Sequence, residues 1–232
     1  MMSEDPKNDH RELIAAILRK WHIEYFGIAD LDGISTPADN NGNQFPRAIS
    51  FAVLMDPGIM ASIRTGPNEQ YAEEYRRVND LINEIAVTLE TTIRRAGFCG
   101  YMIPASDRTD PVNIKGDFPH KTAATRAGLG WVGRNCLLIS KRHGPWLRLG
   151  TVLTDLPARC DLSVTKSYCG TCRKCVDACP AGALIGNAWQ PGMPREDMLN
   201  VLKCDEWKKE YFFQFNEGHN CGICAAVCPF GK

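Results

Sequence analysis

At 232 residues, and with about 150 residues per domain as the usual scale, the chain has room for one main fold and a smaller module. Its 44% hydrophobic and 23% charged residues match globular averages and exclude a disordered, collagenous or coiled-coil chain. The 27 basic residues cancel the 27 acidic ones, so no global field steers the protein toward nucleic acid or an anionic membrane, and a polyanion would need a local patch.

The polar, acidic start from Met1 to His10 lacks the apolar segment of a signal peptide. No later stretch reaches the roughly 18 apolar residues of a membrane span, so a cytoplasmic protein without a membrane partner is expected. Between Arg11 and Trp21, Leu13, Ile14, Ile17 and Leu18 fall at helical spacing, and Phe26 to Leu31 reads as a short strand ending in Asp-Gly turn chemistry. A loop rich in Asp, Gly, Asn and Pro runs to Pro46. Ala48 to Met55 then reads as a buried strand stopped by Asp56-Pro57-Gly58. From Gln70 to Arg95, Tyr71, Tyr75, Val78, Ile82, Ile85, Leu89 and Ile93 recur in steps of three or four, a long helix with Gly97 as its stop. A strand at Cys99 to Pro104, an irregular segment at Ala105 to Asp117, a helix near His120 to Gly128 and strands near Cys136 to Ser140 and Leu147 to Leu153 complete an interleaved α+β pattern. The boundary falls near Ala158 to Ser167, dividing residues 1–160 from a module at 161–232.

That module holds eight of the 11 cysteines. A secreted disulfide scaffold would be smaller and would spread its bridges through the fold, so metal ligation in a reducing compartment fits better. Cys169-Gly-Thr-Cys172-Arg-Lys-Cys175-Val-Asp-Ala-Cys179-Pro180 is the C-x2-C-x2-C-x3-C-P run of bacterial ferredoxins. Cys221-Gly-Ile-Cys224-Ala-Ala-Val-Cys228-Pro229 repeats its second half, with Cys204 upstream as a further ligand. In two-cluster ferredoxins the last Cys of each run serves the other cluster. Cys169, Cys172, Cys175 and Cys228 are therefore assigned to one 4Fe-4S cluster, and Cys179, Cys204, Cys221 and Cys224 to a second. Structural zinc also uses paired C-x2-C, but explains neither the third Cys at x2 spacing nor the prolines. For Cys204 the spacing is loose, and a three-iron cluster or another fourth ligand stays open. Cys99, Cys136 and Cys160 sit in or beside apolar segments as small hydrophobes.

Two clusters form an electron wire, which implies a redox site in the first 160 residues. The stretch His120-Lys-Thr-Ala-Ala-Thr-Arg-Ala-Gly128-Leu129-Gly130-Trp131-Val-Gly133-Arg134-Asn135-Cys136 reads as a helix, a Gly-rich turn around an aromatic residue, then a strand. Its glycines either let the backbone approach a ligand or simply punctuate helix and strand. Their context is wrong for a Rossmann turn, which follows a strand and precedes a helix.

Together with Leu149-Gly150-Thr-Val-Leu-Thr154-Asp155 and the cysteine runs, this stretch resembles epoxyqueuosine reductase, the cobalamin-dependent iron-sulfur family of tRNA queuosine synthesis. The resemblance covers Phe118 to Phe230 well and the preceding residues loosely. It implies a cobalamin-binding α+β domain of the nitroreductase or flavin-reductase-like kind, fused to a ferredoxin-like double-cluster domain, a pairing that reductive dehalogenases share. Gly128, Leu129, Gly130, Trp131, Gly133, Arg134 and Asn135 would line the cofactor. The family's proton-donating Asp falls in register on Ile114, and its Glu-Arg pair on His120 and Lys121. Asp117 and His120 are the nearby candidate donors, with Tyr101 and Asp110 behind them; the plain alternative is that Asp117 caps the next helix and His120 is a surface residue. The family's C-terminal helical-repeat region has no counterpart, so a short form is expected.

The implied activity is reductive cleavage of a C–O or related bond, with clusters supplying single electrons and a side chain a proton. Ferredoxin or flavodoxin is the expected electron donor. tRNA is the implied substrate carrier, with Lys141, Arg142, His143, Arg148, Arg173 and Lys174 as a phosphate-facing patch or a plain solvated face. Two other readings stay open: an electron carrier or corrinoid-reducing activator with no substrate chemistry, and a flavin in place of the corrinoid.

Overall fold

Helix α1 (Pro6–Lys20) opens the computed structural model, which describes residues 6–39 and 41–230; the polar start at 1–5 lies outside the described residues. The helix buries Ile14, Ile17 and Leu18, the stripe its spacing requires. Strand β1 (Phe26–Asp30) and strand β2 (Arg47–Leu54) follow. They pair antiparallel, with Ile28 opposite Ile49 and Ala29 opposite Ala48. Six consecutive residues of β2 are buried, so the strand reads as an unbroken apolar run rather than an alternating one.

The segment after β2 departs from the expected turn. Asp56-Pro57-Gly58 stops the strand but also starts a helix, α2 (Pro57–Ser62): the Asp56 carboxylate accepts the Ile59 N–H at 2.9 Å, with Pro57 in the first helical turn. The N-cap and proline signature was present and read only as a turn. Helix α3 (Glu69–Arg95) keeps its expected bounds, burying Val78, Ile82, Ile85, Ala86, Leu89 and Ile93. Strand β3 (Gly100–Ile103), helix α4 (His120–Arg126), strands β4 (Trp131–Val132), β5 (Leu138–Ile139) and β6 (Leu147–Thr154) come next. The main sheet has the order β1-β2-β6-β3, while β4 and β5 form a separate two-stranded ribbon. At the β2 and β6 neighbours, a Cβ on Gly150 would lie 2.1 Å from the ring of Phe51, so only glycine admits that ring.

Past residue 160 the regular structure is short: α5 (Lys174–Asp177), α6 (Val201–Phe212) and α7 (Ile223–Ala226). Helix α6 carries no strong apolar period and was not anticipated; Asn200 caps it by accepting the Lys203 N–H at 3.0 Å.

The chain forms two compact units that are not contiguous in sequence. The first comprises Met1–Val53, Asn79–Leu129 and Leu149–Val164; the second comprises Leu54–Val78, Gly130–Arg148 and Thr165–Lys232. In the first, Arg11 makes a two-pronged ion pair with Asp161 at 2.8 and 3.0 Å, and the same carboxylate accepts the Ile28 N–H at 2.8 Å. In the second, the Met55 N–H donates to the Trp146 carbonyl at 3.0 Å, and the Trp146 indole N–H donates to the Ala225 carbonyl at 3.0 Å. Among the described residues no helix is long and apolar enough to cross a membrane.

Candidate metal centre

Two turns of the cysteine runs build the centre. In the first run, the Cys172 N–H bonds the Cys169 carbonyl, and α5 carries Cys175. The chain then turns so that the Gly182 N–H meets the Cys179 carbonyl at 3.0 Å. In the second run, Gly222 adopts φ +80°, and a Cβ there would lie 2.4 Å from Ile63 Cδ1 and 3.1 Å from the Tyr71 ring. That position needs glycine on both counts.

Cys169, Cys172, Cys175 and Cys228 line one pocket, together with Arg134, Asn135, Ile139, Pro229 and Phe230. Those four cysteines are the set assigned to the first cluster, including Cys228 from the far run. The four thiols surround the space without converging on a point. Among the described residues no three His, Cys, Asp or Glu side chains lie close enough to hold a single metal ion. A 4Fe-4S cube takes one thiolate per iron, so a ring of four separated thiols is the donor set it requires.

The electrostatic neighbourhoods follow the same grouping except at Cys224, which also feels Cys175. Burial pushes the Cys175 thiol up to about 11, and the nearby Cys169, Cys228 and Cys172 add to the rise. Burial likewise lifts Cys221 to about 11, with Cys204 and Cys179 contributing. Cys224 is raised well above its ordinary value by burial, then by Cys221, Cys204, Cys175 and Cys179. Cys204 is raised by burial, opposed by Lys208 and reinforced by Cys179. In the absence of iron these thiols stay protonated at neutral pH. A bound cation inverts that balance and expels the protons.

Polar atoms of the second unit also fit an anionic, sulfur-rich group. The Trp131 indole N–H donates to Cys169 Sγ at 3.4 Å. The Arg134 guanidinium donates to the carbonyls of Gly170, at 2.7 Å, and Gly186. Its Nε is buried without a partner, in a residue that lines the four-thiol pocket. Asn135 is 3% exposed and donates to the Cys224 carbonyl at 3.2 Å.

These contacts give the glycine segment a role that its sequence did not disclose. A Cβ on Gly128 would meet the Leu162 carbonyl oxygen at 2.9 Å, one on Gly130 the Ile139 carbonyl oxygen at 2.1 Å, and one on Gly133 Asn135 Oδ1 at 2.7 Å. Each glycine is required by a close approach within the chain. Leu129 and Trp131 are each 3% exposed.

Of the candidate proton donors, Asp117 is exposed and accepts a hydrogen bond from the Tyr101 hydroxyl at 2.7 Å. That bond holds the Tyr101 pKa above its ordinary value. Asp117 does not cap α4, whose N-cap is Pro119 with no side-chain bond. His120 is half-buried rather than a free surface residue. Its Nε2 lies 3.3 Å from the Pro104 carbonyl and its Nδ1 2.8 Å from the Thr151 hydroxyl. Asp110 is engaged locally by the Asn113 backbone and amide, and Ile114 sits at φ 53° in the same loop. In the basic patch, Arg148 lies 3.7 Å over the Tyr75 ring, while Lys141, Arg142, Arg173 and Lys174 are exposed.

Fold and site define a mixed α/β protein carrying a double iron-sulfur module. Residues 168–231 match the family of 4Fe-4S double cluster binding domains, and the chain is a relative of the epoxyqueuosine reductases. It is 37% identical over 118 residues to epoxyqueuosine reductase of Lactococcus garvieae, covering 47% of this chain and 31% of that one. With the enzyme of Pseudomonas aeruginosa it shares 28% over 200 residues, 80% of this chain and 51% of that one. Across the relatives from Listeria monocytogenes, Lactococcus garvieae and Cyclobacterium marinum, the chain spans about a third of the relative's length. Among solved structures, a catabolic reductive dehalogenase bound to 3-bromo-4-hydroxybenzoic acid superposes with TM-score 0.75 at 21% identity, covering 99% of this chain and 32% of that one. An epoxyqueuosine reductase bound to an epoxyqueuosine-modified tRNA stem loop gives 0.65 at 17%, covering 96% and 65%. At these identities the structural likeness establishes the fold.

Proposed function

We propose that this chain is a 4Fe-4S reductase of the epoxyqueuosine reductase type, reducing epoxyqueuosine to queuosine in tRNA. The observation that carries the reading is the crossed grouping of cysteines, in which Cys228 joins Cys169, Cys172 and Cys175 around one pocket while Cys179 neighbours Cys204, Cys221 and Cys224. In this reading residues 161–232 carry the clusters, and residues 1–160 form the cofactor and substrate domain, akin to nitroreductase or flavin-reductase-like folds. The relatives' names supply the substrate. A neighbouring structure is described as bearing on B12-dependent dehalogenation, which with the resemblance of the 128–135 segment supports a corrinoid. When bound, that group supplies a strongly reducing cobalt centre.

The chain's own residues do the rest. The eight thiols hold the clusters, and Arg134 and Asn135 brace both cysteine runs from one short segment. Asp117 with Tyr101 is the better placed proton store, since both ring nitrogens of His120 are occupied by Pro104 and Thr151. A cytoplasmic location and a ferredoxin or flavodoxin donor belong to the same proposal.

The electron-carrier reading has one observation in its favour: Trp131, Arg134 and Asn135 all bond to the cysteine segments. Anaerobic reconstitution followed by iron, sulfide and cobalamin-binding analysis, then turnover of epoxyqueuosine-containing tRNA, separates the two. About eight irons with tight cobalamin binding and queuosine formation support the reductase. Eight irons with neither cobalamin binding nor turnover leave the carrier.

A further inference from the structure

We propose that Trp131 tunes the reduction potential of the cluster held by Cys169, through its indole N–H on the Cys169 sulfur. The inference rests on the reading of Cys169 as a cluster ligand. The indole nitrogen is only a donor, and its contact here is the Cys169 sulfur at 3.4 Å. The ring is held in place from two sides: Tyr168 meets it edge-on at 5.2 Å and Phe230 at 4.9 Å. Only 3% of Trp131 is exposed, so water does not compete for the bond. Its backbone is fixed as well, because Trp131 pairs with Ile139 in the β4–β5 ribbon and follows Gly130, which closes on the Ile139 carbonyl.

Reduction adds negative charge that the cluster and its thiolates share. A hydrogen bond to a ligand sulfur stabilises the reduced form more than the oxidised one, and so raises the potential. In a buried setting the effect is larger than in water, because low local polarity strengthens the bond. Trp131 is in this sense a positioning and tuning residue. It acts through Cys169.

The test is a potentiometric titration of the reconstituted protein followed by EPR, on the parent chain, Trp131→Phe and Tyr168→Leu. Phenylalanine keeps most of the ring and loses the donor; Tyr168→Leu loosens the ring's packing and keeps the donor. Cys169→Ser in the same series identifies the signal that belongs to the Cys169 cluster, and an unaltered pair of signals in that variant would overturn the ligand reading itself. The expected result is a more negative midpoint for that signal alone in Trp131→Phe, with iron and sulfide contents unchanged, and a smaller shift in the same direction in Tyr168→Leu. An unchanged midpoint with both clusters intact overturns the proposal. Should Trp131→Phe fail to assemble, the parent chain carrying 15N-labelled tryptophan answers the question: a 15N coupling on the reduced Cys169 cluster is expected in pulsed EPR, and its absence overturns the proposal.

Discussion

The side-chain amide of Asn135 donates to the carbonyl of Cys224 at 3.2 Å, while its own oxygen accepts the Leu137 N–H at 3.2 Å. One buried side chain therefore ties the ribbon turn to the second cysteine run. Asn135→Ala removes both bonds and leaves a half-buried carbonyl and amide unpaired, each costing at most about 1–3 kcal/mol. Thermal unfolding of the cluster-loaded protein is expected to begin several degrees lower, with about 2–4 °C lost per kcal/mol in a chain of this size. An unchanged unfolding temperature would show that this tie contributes nothing.

Ion pairs on α1 should differ in worth. Arg11 and Asp161 are 29% and 33% exposed at the side chain, and the carboxylate also receives the Ile28 N–H; Arg19 and Glu12 are 60% and 74% exposed. Asp161→Ala is expected to cost about 1–3 kcal/mol, since it strands an amide and a guanidinium. Glu12→Ala should cost less than about 1 kcal/mol. Urea titrations of the two variants compare them directly, and equal midpoints would contradict the assignment.

Gly130 leaves no room for a methyl group. Alanine there would place Cβ 2.1 Å from the Ile139 carbonyl oxygen, whereas the Cβ of Gly97→Ala would meet nothing within 4 Å. Gly97 nonetheless has φ +88°, so its alanine variant pays about 1–2 kcal/mol of backbone strain. Soluble yield and denaturant midpoint should fall much further for Gly130→Ala. A milder effect at Gly130 than at Gly97 would mean the ribbon can open at no cost.

The Tyr101 and Asp117 pair makes a pH prediction. The folded-state pKa of Tyr101 is raised above its ordinary 10.0, first by the hydrogen bond to Asp117. A raised pKa means that the bond's stabilisation is fully present below pH 10 and is lost as pH climbs through the folded value. In Asp117→Asn, Tyr101 should ionise at lower pH than in the parent, read by NMR of the tyrosine ring carbons and assigned with Tyr101→Phe. Identical titrations would show that the bond does not persist in solution.

Ligand crossing can be read from pairs of variants. Cys172 and Cys228 line the same pocket, whereas Cys179 neighbours Cys204, Cys221 and Cys224. Combining Cys172→Ala with Cys228→Ala should spare one cluster, while Cys172→Ala with Cys179→Ala should damage both. Iron content and EPR after reconstitution decide; the reverse pattern would place each cluster within its own run.

Much of this was legible beforehand where one local rule governs. The period of α3 and the apolar run of β2 set their own bounds, and the ferredoxin spacing with its prolines led to the expectation that Cys228 joins Cys169, Cys172 and Cys175, which line one pocket with it. Helix α2 was missed because Asp-Pro-Gly signals both a turn and a capped helix start, and only the following packing chooses between them. Helix α6 was missed because its face is mixed, its one buried residue being Asp205, paired with Lys208 and Lys209. The work done by Gly128, Gly130 and Gly133 was hidden for another reason. Their partners, Leu162, Ile139 and Asn135, are ordinary residues whose proximity is a property of the tertiary fold.

The interleaving of the two units bears on the order in which the protein is made. A ribosome delivers Trp131, Arg134 and Asn135 long before the cysteines they brace, and it delivers Cys228 last of the eight thiols. With Cys228 completing one ligand set and Cys204, Cys221 and Cys224 completing the other, a nascent chain halted after Cys179 would hold three thiols of one set and a single thiol of the other. On the proposed ligand sets, neither cluster has its four thiols until the second run has been made.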